Sequence, residues 1–117
     1  MPCPNAERRI DIVALTEVVG ALARDGGATI QRVADEIGVS RRSLQRYLAV
    51  SGFTFSDMRD QAVNHAALTM LAHSELSIAA ISHRLGYKNP SSFTRAFVRW
   101  NGATPGIYRC LVRKRET

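Results

Sequence analysis

The sequence predicts an all-α protein in which two helix-turn-helix units are joined by one long helix, about seven helices in all. Three observations carry this. Apolar residues recur at helical spacing along the whole chain, and no segment alternates as a half-buried strand does. Residues able to cap a helix start (Ser, Thr, Asn) and glycines able to end one fall at the edges of the periodic runs. A block at Thr29 to Gly38, TIQRVADEIG, returns as SIAAISHRLG at Ser77 to Gly86.

The elements come in order along the chain. After MPCP, Asn5 can cap a helix to about Arg24, with Ile10, Val13 or Ala14, Val18, Ala21 and Leu22 on one stripe; DGG from Asp25 stops it. This helix is expected to lie as a lid across the core. A short helix from about Ile30 to Ile37 ends at Gly38. Ser40 then caps the next, with Val39 and Leu44 spaced for a hydrophobic staple. The capping box Thr54-x-x-Asp57 opens a segment with Phe55, Met58, Ala62, Ala66, Leu68, Met70 and Leu71 at helical spacing. It predicts one helix of about 20 residues, hence about 30 Å.

The repeated block then supplies a second pair of helices. Ile30 answers Ile78, Val33 answers Ile81, Ile37 answers Leu85 and Gly38 answers Gly86. Beyond the glycine the register slips by one, so Ser40 answers Asn89, Leu44 answers Phe93, Arg46 answers Arg95 and Leu48 answers Phe97. The second turn is one residue longer, and Pro90 sits at the first helical position after the Asn89 cap. In ATPGIYR, Thr104 precedes Pro105 as a cap for a short helix, and Ile107 with Tyr108 is expected to close the core. The expected organisation is a disordered terminus at 1–5, a first unit at 6–53, the linking helix at 54–75, a second unit at 76–110 and a basic tail at 111–117.

Composition narrows the function. The 117 residues, 45% hydrophobic and 22% charged, suit one compact domain or two very small ones sharing a core. Sixteen Lys and Arg against ten Asp and Glu give a net charge of +6, which favours polyanionic partners. Cys3 and Cys110 make neither a disulfide scaffold nor a Cys-rich zinc site, which suits a reducing cytoplasm. No apolar run approaches the roughly 20 residues that span a bilayer, so no membrane role is expected. His65, His73 and His83 lack metal-ligand spacing, and no metal, cofactor or catalytic residue is expected. Tyr87, Phe93, Phe97, Trp100 and Tyr108 take inward positions on the helical wheel, which makes them core rather than base-stacking residues.

The outward faces are more telling. With Leu44 turned inward, Arg42, Gln45, Arg46 and Ala49 point away; with Phe93 inward, Ser91, Thr94, Arg95 and Val98 point away. Arg pairs bidentately with the O6/N7 edge of guanine, Gln with the N6/N7 edge of adenine, and Ser or Thr reaches bases or phosphates. Major-groove openings on one side of B-DNA repeat every 34 Å or so, close to the length of the linking rod. Double-stranded DNA is therefore the expected partner; the deep, narrow groove of A-form RNA excludes such helices.

These residues also carry a family resemblance. ADEIGVSRRSLQRYL in the first unit and ISHRLGYKNPSSFTRAFVRWNGATPGIYR in the second resemble the DNA-binding domain of AraC/XylS-type transcription regulators, over about Asp25 to Arg109. The resemblance implies that the helices after Ser40 and Asn89 enter adjacent major grooves. It assigns base readout to Arg42, Gln45, Arg46, Ser91, Thr94 and Arg95, and backbone contacts to Ser40, Arg41, Lys88 and Asn89. Family members commonly carry a basic residue in the middle of the linking helix, where this chain has Val63 and Asn64. Most also carry a sensing or dimerisation domain, so the chain is expected to be the C-terminal part of a longer regulator, with RNA polymerase a further candidate partner. The isolated chain is expected to be a monomer, because no apolar heptad or spare exposed stripe offers a dimer surface. The alternatives are the DNA-binding module of a DNA-repair methyltransferase-like protein and a protein-interaction module.

Overall fold

Thr29, Ser40, Thr54, Ser77, Asn89 and Thr104 each open a helix in the computed structural model, which describes residues 12–116. Each side-chain oxygen accepts the backbone N–H three residues on, at 3.2, 3.0, 3.0, 3.0, 2.9 and 3.2 Å in that order. A cap of this kind stabilises a helix by about 1 kcal/mol and fixes where it starts. The helices are α1 (Ile12–Ala23), α2 (Ile30–Ile37), α3 (Arg41–Ser51), α4 (Phe55–His73), α5 (Ile78–Arg84), α6 (Pro90–Asn101) and α7 (Pro105–Glu116). Among the described residues there are seven helices and no strand, as the periodicity predicts. Asn5, Ile10, Cys3 and the expected disorder at 1–5 lie outside the described residues.

One hydrophobic cluster runs through both units. The first contributes Leu15, Val19 and Ala23 from α1, Val33 and Ala34 from α2, and Leu44 and Leu48 from α3. The second contributes Ile81 and Leu85 from around α5, and Phe93 and Phe97 from α6. Between them α4 buries Met58, Ala62, Val63, Ala66, Ala67 and Leu71. The small residues in the middle of α4 let elements of both units approach its axis closely. A chain of rings, Tyr87 to Phe93 to Phe97 to Tyr108, with centroids 5.5, 5.8 and 5.9 Å apart, fills the second unit. The aromatic residues assigned to the core are therefore buried or half-buried against it.

Two ties from the second unit hold α4. Arg109 of α7 donates from Nε to the Leu71 carbonyl at 3.1 Å and from Nη2 to the Ser74 carbonyl at 3.1 Å. Arg113 donates to the Ser74 carbonyl as well and pairs with Glu75 at 3.3 Å. The last carbonyls of α4 have no intrahelical donor, and these guanidinium groups supply one. Farther back, Asn64 and Asn101 exchange amide hydrogen bonds at 2.7 and 3.3 Å, joining α4 to the end of α6. Val63 beside it is buried, so the stretch lacking the family's basic residue is spent on packing.

The structure corrects four expectations. On α1, Val13, Ala14 and Ala21 are exposed, and Leu15, Val19 and Ala23 take the inward line. This helix is apolar nearly all round, so several stripes satisfy the periodicity and packing along α4 selects among them. Ile107 is 53% exposed; Pro105 and Tyr108 close the core instead, because Ile107 lies a 100° step round the helix from Tyr108. Residues 111–116, read as a basic tail, continue α7, since nothing breaks the helix and Arg113 holds it against α4. Finally, Ile107 and Leu111 (56% exposed) form a short apolar strip one turn apart, where no spare strip was expected.

Candidate nucleic-acid interface

Leu44 and Leu48 are buried and Tyr47 half-buried, and these three anchors fix the rotation of α3. The 100° step then leaves Arg41, Arg42, Gln45, Arg46 and Ala49 exposed on the opposite face. On α6, Phe93, Ala96 and Phe97 are the anchors, and Ser91, Arg95 and Val98 are exposed. Thr94 is only half-exposed, at the edge of this face rather than its centre. Val98, 38% exposed, stands between Arg95 and the helix end and gives the second face an apolar element.

Neither α3 nor α6 contains an acidic residue. The side chains of Arg41, Arg42, Gln45, Arg46, Lys88 and Arg95 make no hydrogen bond or ion pair with any described residue. Some guanidinium groups elsewhere are committed, Arg59 to Asp60 at 3.4 Å, Arg113 to Glu75 and Arg109 to carbonyls, whereas Arg24, Arg32, Arg84 and Arg99 are not, among the described residues. The donors on α3 and α6 are unspent. Ser40 differs. Its hydroxyl accepts the Ser43 N–H and donates to Ser43 Oγ at 3.0 Å, so it is occupied as a cap. Asn89 accepts the Ser92 N–H at 2.9 Å through Oδ1, which leaves its Nδ2 hydrogens outward. Lys88, in the longer turn, is exposed beside it.

Among the described residues no three His, Cys, Asp or Glu side chains gather into a metal site. No described helix is long and apolar enough to cross a membrane. An open cleft of about 330 Å³ between α1 and α4 is lined by Thr16, Arg24, Gln61 and His65. Cys110 is exposed and unpaired. Among the described residues Tyr87 is the one group with a clear shift: burial pushes its hydroxyl above the ordinary tyrosine value, with Arg59 pulling the other way.

The long-range pairs Asn64–Asn101 and Arg109 with the end of α4 escaped the sequence reading. Their members stand 35 to 38 residues apart, and no local periodicity couples them.

A family model described as a helix-turn-helix domain matches residues 33–110. An uncharacterized HTH-type transcriptional regulator of Mycobacterium tuberculosis is 38% identical over 104 residues, 87% of this chain and 30% of that protein. The ornithine utilization regulator of Pseudomonas aeruginosa is 36% identical over 89 residues, 75% of this chain and 26% of that protein. The chain thus spans under a third of the length of these relatives. Among solved structures, the C-terminal domain of AraT, a response regulator from Geobacillus stearothermophilus, superposes with a TM-score of 0.70 at 25% identity, over 86% of this chain and 84% of that one. The DNA-binding domain of AdpA, solved with a target DNA, shares the fold with a TM-score of 0.67 at 24% identity, over 86% and 94% of the two chains.

Proposed function

The chain belongs to the AraC-type helix-turn-helix family of transcriptional regulators, and on that premise we propose that it reads double-stranded DNA by laying α3 and α6 into successive major grooves. The observation that carries this reading is the pair of exposed, acid-free faces whose donors are unspent. Arg42 and Arg46 suit guanine O6 and N7, Gln45 suits adenine N6 and N7, and Arg95 does for the second half-site what Arg46 does for the first. Ser91 and Thr94 are short and reach only nearby base edges or phosphates. Arg41, Lys88 and the Nδ2 of Asn89 take the sugar-phosphate backbone, while Ser40 acts through the helix start it caps. Nineteen residues make α4 about 28 Å long, and the molecule's longest dimension of 55 Å accommodates two helices a groove repeat of about 34 Å apart.

The domain itself performs no catalysis in this reading. It works in the cytoplasm as a monomer on an asymmetric site, and a whole regulator containing it acts on RNA polymerase at the promoter so marked. Selection of a randomised duplex pool on the purified chain, followed by competition with duplex RNA, tests the proposal. An asymmetric consensus that duplex RNA does not displace is the expected result. Equal competition by both duplexes, or recovery of no consensus, overturns it.

A further inference from the structure

Gly26, in the turn between α1 and α2, belongs to the first unit; Gly86, in the turn between α5 and α6, is the helix-turn-helix turn of the second. The two turns meet. A Cβ placed on Gly26 would lie 3.1 Å from both the Cα and the N of Gly86 and 3.2 Å from the Arg84 carbonyl. One placed on Gly86 would lie 3.3 Å from the Cα of Gly26 and 3.4 Å from its carbonyl oxygen. Every one of these atoms is backbone, so no rotamer change can relieve a collision. Both residues also hold positive φ, 73° and 95°.

Such φ values alone would be an ordinary reason for glycine at a helix end. They do not explain the contact. Gly38, Gly52 and Gly102 also have positive φ, and a Cβ on any of them would meet nothing within 4 Å. The Gly26–Gly86 approach is a separate feature, placed where the first and second units face each other across α4. Ala23, Val63, Leu85 and Arg59 line the small space beside it. The second unit is otherwise tied to α4 by the Asn64–Asn101 amides and by Arg109 and Arg113, all of which hold it to the rod. This contact sets the second unit's backbone directly against the first unit's turn. A rod fixes distance but leaves bending and rocking about its axis; a stop beside the rod removes that freedom.

We infer that the contact between Gly26 and Gly86 is a positioning contact that fixes the angle between the α3 and α6 faces, and with it the half-site separation the chain accepts. The inference rests on the two-helix reading above for its consequence on DNA, but the contact itself makes a claim that needs no DNA.

The experiment compares Gly26→Ala and Gly86→Ala with Gly102→Ala, which incurs the same left-handed strain in open space. Spin labels are placed at Glu36 and Arg99, exposed on opposite units, in a background with Cys3→Ser and Cys110→Ser. The distance distribution between them should shift or broaden in Gly26→Ala and, to a smaller degree, in Gly86→Ala, and stay at the parent shape in Gly102→Ala. Binding is then measured to the duplex selected by the parent chain and to two versions with one half replaced by unrelated sequence. Gly26→Ala should lose at least tenfold on the whole site while staying within twofold of Gly102→Ala on either half site, and reselection should return halves at a changed separation. Unchanged distances in both Gly26→Ala and Gly86→Ala, with helix content retained, overturn the inference. So does an equal loss on whole and half sites. A shifted distance in a chain whose parent binds whole and half sites alike overturns the two-groove reading and leaves the contact standing. Should Gly26→Ala fail to fold, the milder Gly86→Ala decides by the same readings.

Discussion

Arg42, Gln45 and Arg46 are three long side chains with free polar ends, whereas the second face offers one long side chain, Arg95, with Ser91 and a half-covered Thr94. Base discrimination should therefore concentrate under the first unit. Gln45→Ala or Arg46→Ala is expected to cost about 1–3 kcal/mol of specific binding and to relax preference at particular base pairs, and Arg95→Ala to do the same in the other half. Ser91→Ala should cost well under about 1 kcal/mol. A base-substitution scan repeated on each variant checks this, and equal discrimination in both halves would refute it. Tyr87 gives a pH prediction. Burial raises its folded-state value above the unfolded one, so its contribution is fully present below the ordinary tyrosine range and is lost as pH rises through the raised value. Tyr87→Phe should melt with a flatter alkaline decline than the parent above about pH 10, as thermal denaturation at several pH values would show. At this scale the sequence was legible where a side chain's direction is set by its own helix, as for Arg46 or Phe93. It was not legible for Thr94 or Ile107, whose exposure depends on what a neighbouring element covers.

Element boundaries were the most readable part of the molecule, because they are chemical events local to a few residues. Ser40, Thr54 and Asn89 each announce a cap, and the observed helices begin one residue later. The rotation of α1 was hidden for the opposite reason: with apolar residues on most of its circumference, only tertiary packing selects a face. Two predictions belong to α4. Inserting one residue after Asn64 rotates the second unit by about 100° relative to the first and advances it by about 1.5 Å, which also parts Asn64 from Asn101. Specific affinity should fall tenfold or more, about 1.4 kcal/mol, with helix content by circular dichroism retained. Unchanged binding would mean the units do not engage together. Arg109→Ala strips donors from the Leu71 and Ser74 carbonyls and should lower stability by about 1–3 kcal/mol in urea unfolding, without restoration by Lys, which lacks the planar fork.

As a whole the molecule is an elongated basic body, 55 by 29 by 22 Å with a formal charge of +6. Its binding to duplex DNA should weaken at least tenfold between about 50 and 200 mM salt, because several phosphates release their counterions together. A flat salt dependence in a titration would exclude a phosphate-led mode. Sedimentation at micromolar concentration should show a monomer, since the Ile107 and Leu111 strip is far short of the roughly 800 Å² per partner of a stable interface. The duplication made the two-unit plan legible from sequence, while the mutual placement of the units was not, because glycine backbones meeting across α4 leave no pattern in either segment. The guanidinium ties on α4 have a last consequence, for synthesis on the ribosome. The acceptors at Leu71 and Ser74 are made 35 to 39 residues ahead of the donors on Arg109 and Arg113. The local Ser74 cap can thus end α4 before the arginines that clasp it have been added, and the α1 to α4 core can close ahead of them. In chain order, the clasp on α4 is the last of these contacts that can form.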